Sequence, residues 1–258
     1  MVAKEWRDAR WKLLVAAVPV ALAAFFLVSP YEDVARMVQG IPGEDPVRIA
    51  LRDINDLYYF GGLFVLLPLA ALLGVTSISG EVGNSAIFLL LSRPVSRTRL
   101  LLTKYAVGAG VLLAAAVLGK VLLLTVAAAR RYPLGQMRVT EAVLSVLVLW
   151  LGVLFVLGTA LFVSIIFHNI TVSIVACALT LLLVFALPVV VAGVFPMGYA
   201  AELSLRLELY TYWMPAYYYY SNGSYGVGGF TGTNFLVCLV SAIIPLLTAL
   251  WLFRRKAY

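Results

Sequence analysis

Apolar residues fall along this chain in six blocks, and a polar stretch separates each block from the next. The blocks cover residues 13–29, 57–78, 104–129, 142–167, 171–195 and 234–253. A helix needs about 20 apolar residues to cross a hydrocarbon layer about 30 Å thick. Because lipid offers no hydrogen bonds to a peptide group, each block should pair its own backbone as an α-helix. The pattern predicts an all-α integral membrane protein, with six transmembrane helices in one transmembrane domain over residues 1–258.

The polar segment before the first block predicts a short helix that lies in the membrane interface. This segment carries Trp6, Arg7, Arg10 and Trp11 close together. Indole rings favour the depth of the lipid headgroups, and basic side chains favour anionic lipid. An equally good interpretation is an extension of the first transmembrane helix, whose basic side chains reach back to the membrane surface.

The distribution of Lys and Arg predicts that both chain termini lie in the cytoplasm. With the N-terminus inside, eleven of the nineteen basic residues fall on the cytoplasmic side, seven fall outside, and Lys120 lies within the third block. Cytoplasmic loops of membrane proteins carry such an excess of Lys and Arg. An outer turn with Arg130, Arg131 and Arg138 runs against this rule, but the balance still favours a multi-pass protein of the cell membrane with cytoplasmic termini.

Composition agrees with this pattern and removes several classes of function. The 258 residues are 63% hydrophobic and 12% charged, with a mean hydropathy of +1.01. No Asp or Glu lies inside a block, whereas carriers driven by protons or sodium ions usually keep one there. The single histidine, His168, leaves no pair for a zinc motif, and the phosphate-binding sequence G-x-x-x-x-G-K-[ST] is absent. We therefore expect no enzyme activity and no metal or cofactor bound by this chain, and uphill transport would need energy from another subunit.

The connection after the second block carries the most informative motif of the chain. Residues 79–104 read S-G-E-V-G-N-S-A-I-F-L-L-L-S-R-P-V-S-R-T-R-L-L-L-T-K. This segment resembles the cytoplasmic connection after the second transmembrane helix in permease subunits of ABC exporters of the type-2 membrane family. The matching residues are Glu81, Leu90, Leu91, Ser92, Pro94, Val95, Ser96, Arg97 and Lys104. The six blocks, the short turn between the fourth and fifth, and the basic C-terminus fit the same family.

The resemblance implies that this connection holds a cytoplasmic coupling helix between the second and third spans. Its implied contacts with an ATPase subunit are Glu81, Asn84, Ser85, Phe88, Ser92, Arg93, Pro94 and Arg97, with a second contact at His168 and Asn169. The spacing of Val82, Ala86 and Leu89 independently supports a helix with one apolar face. The alternatives are a loop whose charges only set the topology, and a polar turn at Asn169 that satisfies helix-end groups.

The resemblance also implies the partners and the exit path. Two copies of an ABC ATPase subunit would bind ATP and Mg, and the chain would pair with a second copy of itself or a homologous permease. Membrane lipid is a further partner, and no nucleic acid is expected. The long external connection over residues 196–232 is rich in tyrosine, and by resemblance it would cap the exit path, with Tyr217 and Tyr218 as candidate gate residues. The alternative is an aromatic anchor without a gating role.

Two features of the third block invite more than one interpretation. Lys120 lies in its outer half, where a buried lysine either lines a substrate path, pairs with a polar group, or extends to the surface. Ala106, Gly110 and Ala114 form a stripe of small residues at the spacing that helix packing in lipid prefers. We expect this stripe to pack against another helix of the same chain.

These observations predict the permease subunit of an ATP-driven ABC exporter, which forms the translocation path and couples to a separate ATPase. The alternative is a membrane scaffold or sensor subunit that transports nothing. A secondary carrier is disfavoured because the blocks contain no carboxylate.

Overall fold

The computed structural model of the chain describes residues 11, 17–19, 21, 25–26, 28–38, 46–83, 96–137, 139–167, 169–194 and 232–255. Within these ranges the chain consists of helices and turns, and no strand occurs. The helices are α1 (Tyr31–Val38), α2 (Pro46–Gly83), α3 (Arg97–Ala129), α4 (Val139–Ile166), α5 (Ile170–Val194) and α6 (Gly232–Arg255), with a 3₁₀ turn at Leu134–Gln136. Helices α2 to α6 contain the second to sixth predicted spans.

Among the described residues, four helices are long and apolar enough to cross a membrane. Their candidate spans are Leu57–Gly80, Arg97–Ala129, Ala142–Ile166 and Phe235–Arg255. They confirm the all-helical membrane prediction for the second, third, fourth and sixth blocks. Helix α5 adds a shorter apolar segment, Ile170–Val184. The first block and the proposed interfacial helix lie mostly outside the described residues, although Trp11 is helical and exposed.

Two helices begin earlier than the apolar pattern indicates. Helix α2 begins at Pro46 rather than near Leu57, because proline is favoured in the first turn of a helix, where its missing N–H is not needed. Helix α3 begins at Arg97 rather than Lys104, and the Ser96 hydroxyl caps it by accepting a hydrogen bond from the Arg99 N–H at 3.3 Å. The polar stretches expected to be connections are therefore partly helical, since polar residues can form the ends of helices that extend beyond the hydrocarbon.

Helix α4 lies at the centre of the bundle. It packs against α2, α3, α5 and α6, and 78% of its membrane-length segment is buried, against 44% for α3 and 22% for α6. A helix that is apolar on all sides is typical of such a central position. Its fully buried side chains include Leu149, Leu157, Leu161 and Ile165.

Small residues allow α2 and α6 to approach α4 closely. A Cβ atom on Gly74 of α2 would lie 2.4 Å from the Cβ of Ala160 and 2.9 Å from the carbonyl oxygen of Leu157. A Cβ atom on Gly158 of α4 would lie 3.0 Å from the Cβ of Pro245. Helices in lipid associate largely through such close backbone contacts. These positions therefore hold the α2–α4–α6 core together.

The stripe of small residues on α3 does not pack as expected. Ala106 and Gly110 are exposed, and a Cβ atom on Gly110 would meet no atom within 4 Å. The expectation that this stripe contacts another helix of the same chain is wrong for the described residues. Helix α3 instead buries its other face, which includes Val111 and Leu112.

The turn after α3 contacts the end of the first predicted span. Arg131 has a φ of 63°, and the N–H of Tyr132 donates to the carbonyl of Ala127 at 3.1 Å, which closes the helix with a Schellman-type cap. The Tyr132 hydroxyl donates to the carbonyl of Ser29 at 3.0 Å. The Tyr132 ring also packs edge-on against Tyr31 at the start of α1. We call this side of the bundle, with Pro46 and Arg130, the far end.

Candidate functional site

The end of the bundle opposite the far end carries Glu81, Arg97 and Asn169, three of the proposed ATPase contacts. We call it the basic end, because Arg97, Arg99, Arg254 and Arg255 lie there at the start of α3 and the end of α6. Glu81 lies in the last turn of α2, and Arg97 is the first residue of α3. Asn84, Ser85, Phe88, Ser92, Arg93 and Pro94 lie outside the described residues. The two ends of the proposed coupling segment are thus continuous with membrane-spanning helices.

A buried serine ties the end of α2 to α4. The Ser164 hydroxyl accepts a hydrogen bond from the backbone N–H of Ser79 at 2.9 Å and donates one to the carbonyl of Val75 at 2.9 Å. In a regular α-helix the N–H of residue 79 pairs with the carbonyl of residue 75. Ser164 therefore bridges one link of the α2 backbone ladder, a place where helices are able to bend. This bridge lies two residues before Glu81.

The turn between α4 and α5 also lies at the basic end. The Asn169 side-chain oxygen accepts a hydrogen bond from the Thr171 N–H at 2.8 Å, which caps the start of α5. The Ser173 hydroxyl donates to the carbonyl of Phe167, the residue after α4, at 3.0 Å. His168 lies outside the described residues. Asn169 therefore has a structural role, and it is also exposed at the surface.

Helices α3 and α6 meet through a polar contact at the basic end. The Arg254 guanidinium donates from Nε to the Thr98 hydroxyl at 3.0 Å. The neighbouring Arg255 guanidinium lies 4.1 Å from the centre of the Trp251 ring, a favourable cation–π distance. Exposed basic groups of two distant chain segments are thus brought to one surface.

Lys120 is buried between α3 and α2 rather than extended to the surface. Its side chain is 4% exposed, and its Nζ donates to the Asn55 Oδ1 at 2.6 Å. The same Nζ lies 4.5 Å above the Tyr58 ring, and the Tyr58 hydroxyl donates to the carbonyl of Ala116 at 3.0 Å. The Asn55 amide oxygen and the face of the Tyr58 ring thus stabilise the ammonium group of Lys120.

Sequence reasoning found Lys120 but missed its partners. The apolar pattern places Asn55 in the polar stretch before the second block, whereas the structure places it on the polar extension of α2. An intramembrane cation requires a partner, which is a signal that one exists. Many polar residues could have filled that role, and only the packing of α2 against α3 selects Asn55 and Tyr58. Tyr217 and Tyr218, the candidate gate residues, lie outside the described residues.

The described helices form a multi-pass α-helical membrane protein, with basic side chains at one end of the bundle and a buried cluster of Lys120, Asn55 and Tyr58 between α2 and α3. A family profile described as ABC-2 family transporter protein matches residues 1–257. The chain therefore belongs to the ABC-2 transporter family and is the membrane permease component of an ABC transporter, a class that does not itself catalyse a reaction. None of the curated proteins matches this chain.

Proposed function

We propose that this chain is the permease subunit of an ABC exporter and that it crosses the membrane as six transmembrane helices. It pairs with a second permease, an identical copy or a homologue, and with two ATPase subunits that bind ATP and Mg. Both termini lie in the cytoplasm, so the basic end faces the ATPases. The match of the ABC-2 family profile to nearly the whole chain carries this proposal.

The ATPases contact residues 81–97, and their closure moves the basic ends of α2 and α3. Glu81 lies on the same continuous helix as Asn55, which contacts Lys120 near the far end. A displacement at Glu81 is therefore transmitted along α2. The Ser164 bridge passes part of that displacement to α4, because its two hydrogen bonds join the helices just before Glu81. His168 and Asn169 provide a second, smaller contact.

Lys120, Tyr217 and Tyr218 are assigned to the translocation path and its outer gate. The buried position of Lys120 between α3 and α2, the two helices that flank the proposed coupling segment, supports this assignment. Trp6, Arg7, Arg10 and Trp11 anchor the N-terminal segment at the inner membrane surface. The exposure of Trp11 is consistent with that depth.

Copurification with the ATPase encoded beside its gene tests the proposal. We expect a stable complex whose ATP-dependent export falls roughly tenfold or more in Glu81→Arg and Arg97→Glu, because each reverses a charge in the contact. Matched controls are Glu32→Arg and Arg36→Glu, which make the same charge changes on α1 at the far end. These controls should export like the unaltered chain.

The outcome also separates the exporter from a scaffold or sensor subunit. If no complex forms, and Glu81→Arg and Arg97→Glu leave ATP-dependent export intact, the proposal is wrong. A complex that forms but exports no cargo would favour the scaffold. Export that a protonophore abolishes and ATP depletion does not affect would favour a secondary carrier.

A further inference from the structure

An open groove runs along one face of α3 from the basic end into the depth of the membrane. Its volume is about 620 Å³, and its described lining residues are Ser96, Thr98, Arg99, Leu102, Thr103, Ala106, Val107 and Gly110. We propose that this groove binds an anionic phospholipid of the leaflet at the basic end. With the orientation proposed above, that leaflet is the cytoplasmic one.

The groove is polar at its outer end and mostly apolar further in, which is also the order of polarity along a phospholipid. Hydroxyl and guanidinium groups of Ser96, Thr98 and Arg99 lie at its outer end, and mostly apolar residues follow as far as Gly110. The one further hydroxyl among the described lining residues, on Thr103, donates to the Arg99 carbonyl of its own helix at 2.8 Å. Gly110 lies eleven residues after Arg99, which is about 16 Å along a helix at 1.5 Å per residue. One leaflet contributes roughly 15 Å of hydrocarbon. A headgroup at Arg99 would therefore place an acyl chain beside Ala106 and Gly110.

The apolar part of the groove is open because its residues are small. Gly110 has no described atom within 4 Å of the position that a Cβ would take. Ala106 is exposed one helical turn earlier. A helix face that packs against none of the other described helices must be covered by something apolar at this depth. A flexible acyl chain fits such a shallow recess without a matching protein surface.

Charge selects the headgroup. Arg99 is exposed at the polar end of the groove. The hydrogen bond from Arg254 to Thr98 brings a second exposed guanidinium to the same end. Guanidinium groups bind phosphate through paired, charge-assisted hydrogen bonds. A phosphate with no compensating cation of its own is therefore preferred over a zwitterionic headgroup.

The same charges disfavour a second copy of the chain as the occupant. A two-fold contact through this groove would place the same surface patch of both copies together. Arg99 and Arg254 would then face their counterparts, and like charges at close range repel each other. An anionic lipid neutralises these groups instead.

Native mass spectrometry of the full-length chain tests the proposal. The purified chain is stripped of lipid in detergent and titrated with phosphatidylglycerol or with phosphatidylcholine. We expect one phosphatidylglycerol to be retained at least about tenfold more tightly than phosphatidylcholine, because both headgroups offer a phosphate to Arg99 but the choline cation is repelled by the guanidinium groups at this end. Arg99→Gln should remove the preference between the two lipids, and Arg36→Gln, a control at the far end, should keep it.

Filling the groove should abolish the binding of both lipids. Gly110→Leu places a side chain in the open space, and Ala106→Leu is a second variant that narrows the same recess one turn away. Gly61→Leu is the matched control, because a Cβ atom on Gly61 also meets nothing within 4 Å and Gly61 lies outside the groove. Gly61→Leu should bind phosphatidylglycerol like the unaltered chain.

Three results would overturn the proposal. The first is equal retention of the two lipids by the unaltered chain. The second is undiminished phosphatidylglycerol binding in both Gly110→Leu and Ala106→Leu. The third is efficient disulfide crosslinking of Gly110→Cys to a second copy, which would show that the groove is a dimer contact. None of these results depends on the ATPase, so the lipid site and the exporter proposal succeed or fail separately.

Discussion

The side chain of Lys120 on α3 takes its polar and aromatic contacts from α2. The Asn55 amide oxygen and the Tyr58 ring lie on α2, and Lys120 lies on α3. Removing one partner of a buried polar pair leaves the other unsatisfied, which typically costs about 1–3 kcal/mol. The cluster therefore joins the two helices energetically as well as sterically.

We predict strong energetic coupling between Lys120 and Asn55. Asn55→Leu should destabilise the chain by about 1–3 kcal/mol, and it should do so much less in a Lys120→Met background, where no ammonium group needs a partner. Thermal unfolding in detergent of the two single variants and the double variant measures the coupling energy. Additive effects of the two substitutions would contradict a functional pairing of the side chains.

Arg131 is a residue whose backbone conformation is unusual for its type. Its φ of 63° lies in the left-handed region, where side chains with a Cβ are disfavoured by roughly 1–2 kcal/mol. Its guanidinium also approaches the Glu32 carboxylate at 3.5 Å. That ion pair lies at the surface and contributes little.

We predict that Arg131→Gly stabilises the chain by roughly 0.5–1 kcal/mol, because glycine adopts this conformation without strain. Arg131→Ala is the control, since it removes the same ion pair but keeps the Cβ. Thermal unfolding should rank the glycine variant above both the alanine variant and the unaltered chain. A glycine variant no more stable than the alanine variant would indicate that the turn relieves the strain in another way.

At the scale of elements, the contact between α2 and α4 depends on a missing side chain. Gly74 lies against Ala160 and the backbone of Leu157. Ser164 and Ser79 form hydrogen bonds one to two turns further along the same contact. Steric fit and hydrogen bonding thus set the register of these two helices together.

We predict that alanine has opposite effects at two glycines of α2. Gly74→Ala should destabilise the bundle by about 1–3 kcal/mol, because the new methyl group would overlap Ala160. Gly61→Ala should be neutral or stabilising by up to about 1 kcal/mol, because its Cβ meets open space and alanine favours helix. Unfolding temperatures of the two variants provide the test. Equal effects at both positions would mean that α2 does not pack on α4 as described.

At the scale of the whole molecule, the helices alternate in direction and so gather polar ends at two surfaces. The end of α2, the start of α3 and the end of α6 form the basic end. Helix α1 and the Arg130–Tyr132 turn form the far end, where the Tyr31 N–H donates to the Arg130 carbonyl at 3.3 Å. The two ends differ in chemistry, and this difference gives the molecule a direction across the membrane.

We predict that this direction places the basic end in the cytoplasm. The cysteine introduced by Gly43→Cys should react with a membrane-impermeant maleimide in intact cells. The cysteine introduced by Ala257→Cys should react only after permeabilisation. The native Cys177 and Cys238 are buried, so background labelling should be low. If Ala257→Cys but not Gly43→Cys were labelled in intact cells, the chain would have the opposite orientation.

The extent to which sequence anticipated the structure differs between elements. Helix α4 was placed within a few residues, because its whole span is apolar and its ends are marked by polar turns. The starts of α2 and α3 were placed too late, since Pro46 and Ser96 begin helices in polar sequence that hydropathy does not register. The open face at Gly110 was also missed, because a stripe of small residues has the same appearance whether or not a neighbour is present.

The sequence by itself determined that this is a membrane protein, and it located the apolar cores of the second, third, fourth and sixth predicted spans, because transfer of a segment into lipid depends on the composition of that segment. The family also follows from the sequence, through the profile match over residues 1–257. Only the tertiary structure decided which polar groups meet across helices. The pairing of Lys120 with Asn55, the bridge of Ser164 to Ser79 and the exposure of Gly110 each depend on how a helix is rotated and shifted against its neighbours. A helix that is apolar on all sides carries no signal for that rotation, so the close packing of small residues sets it.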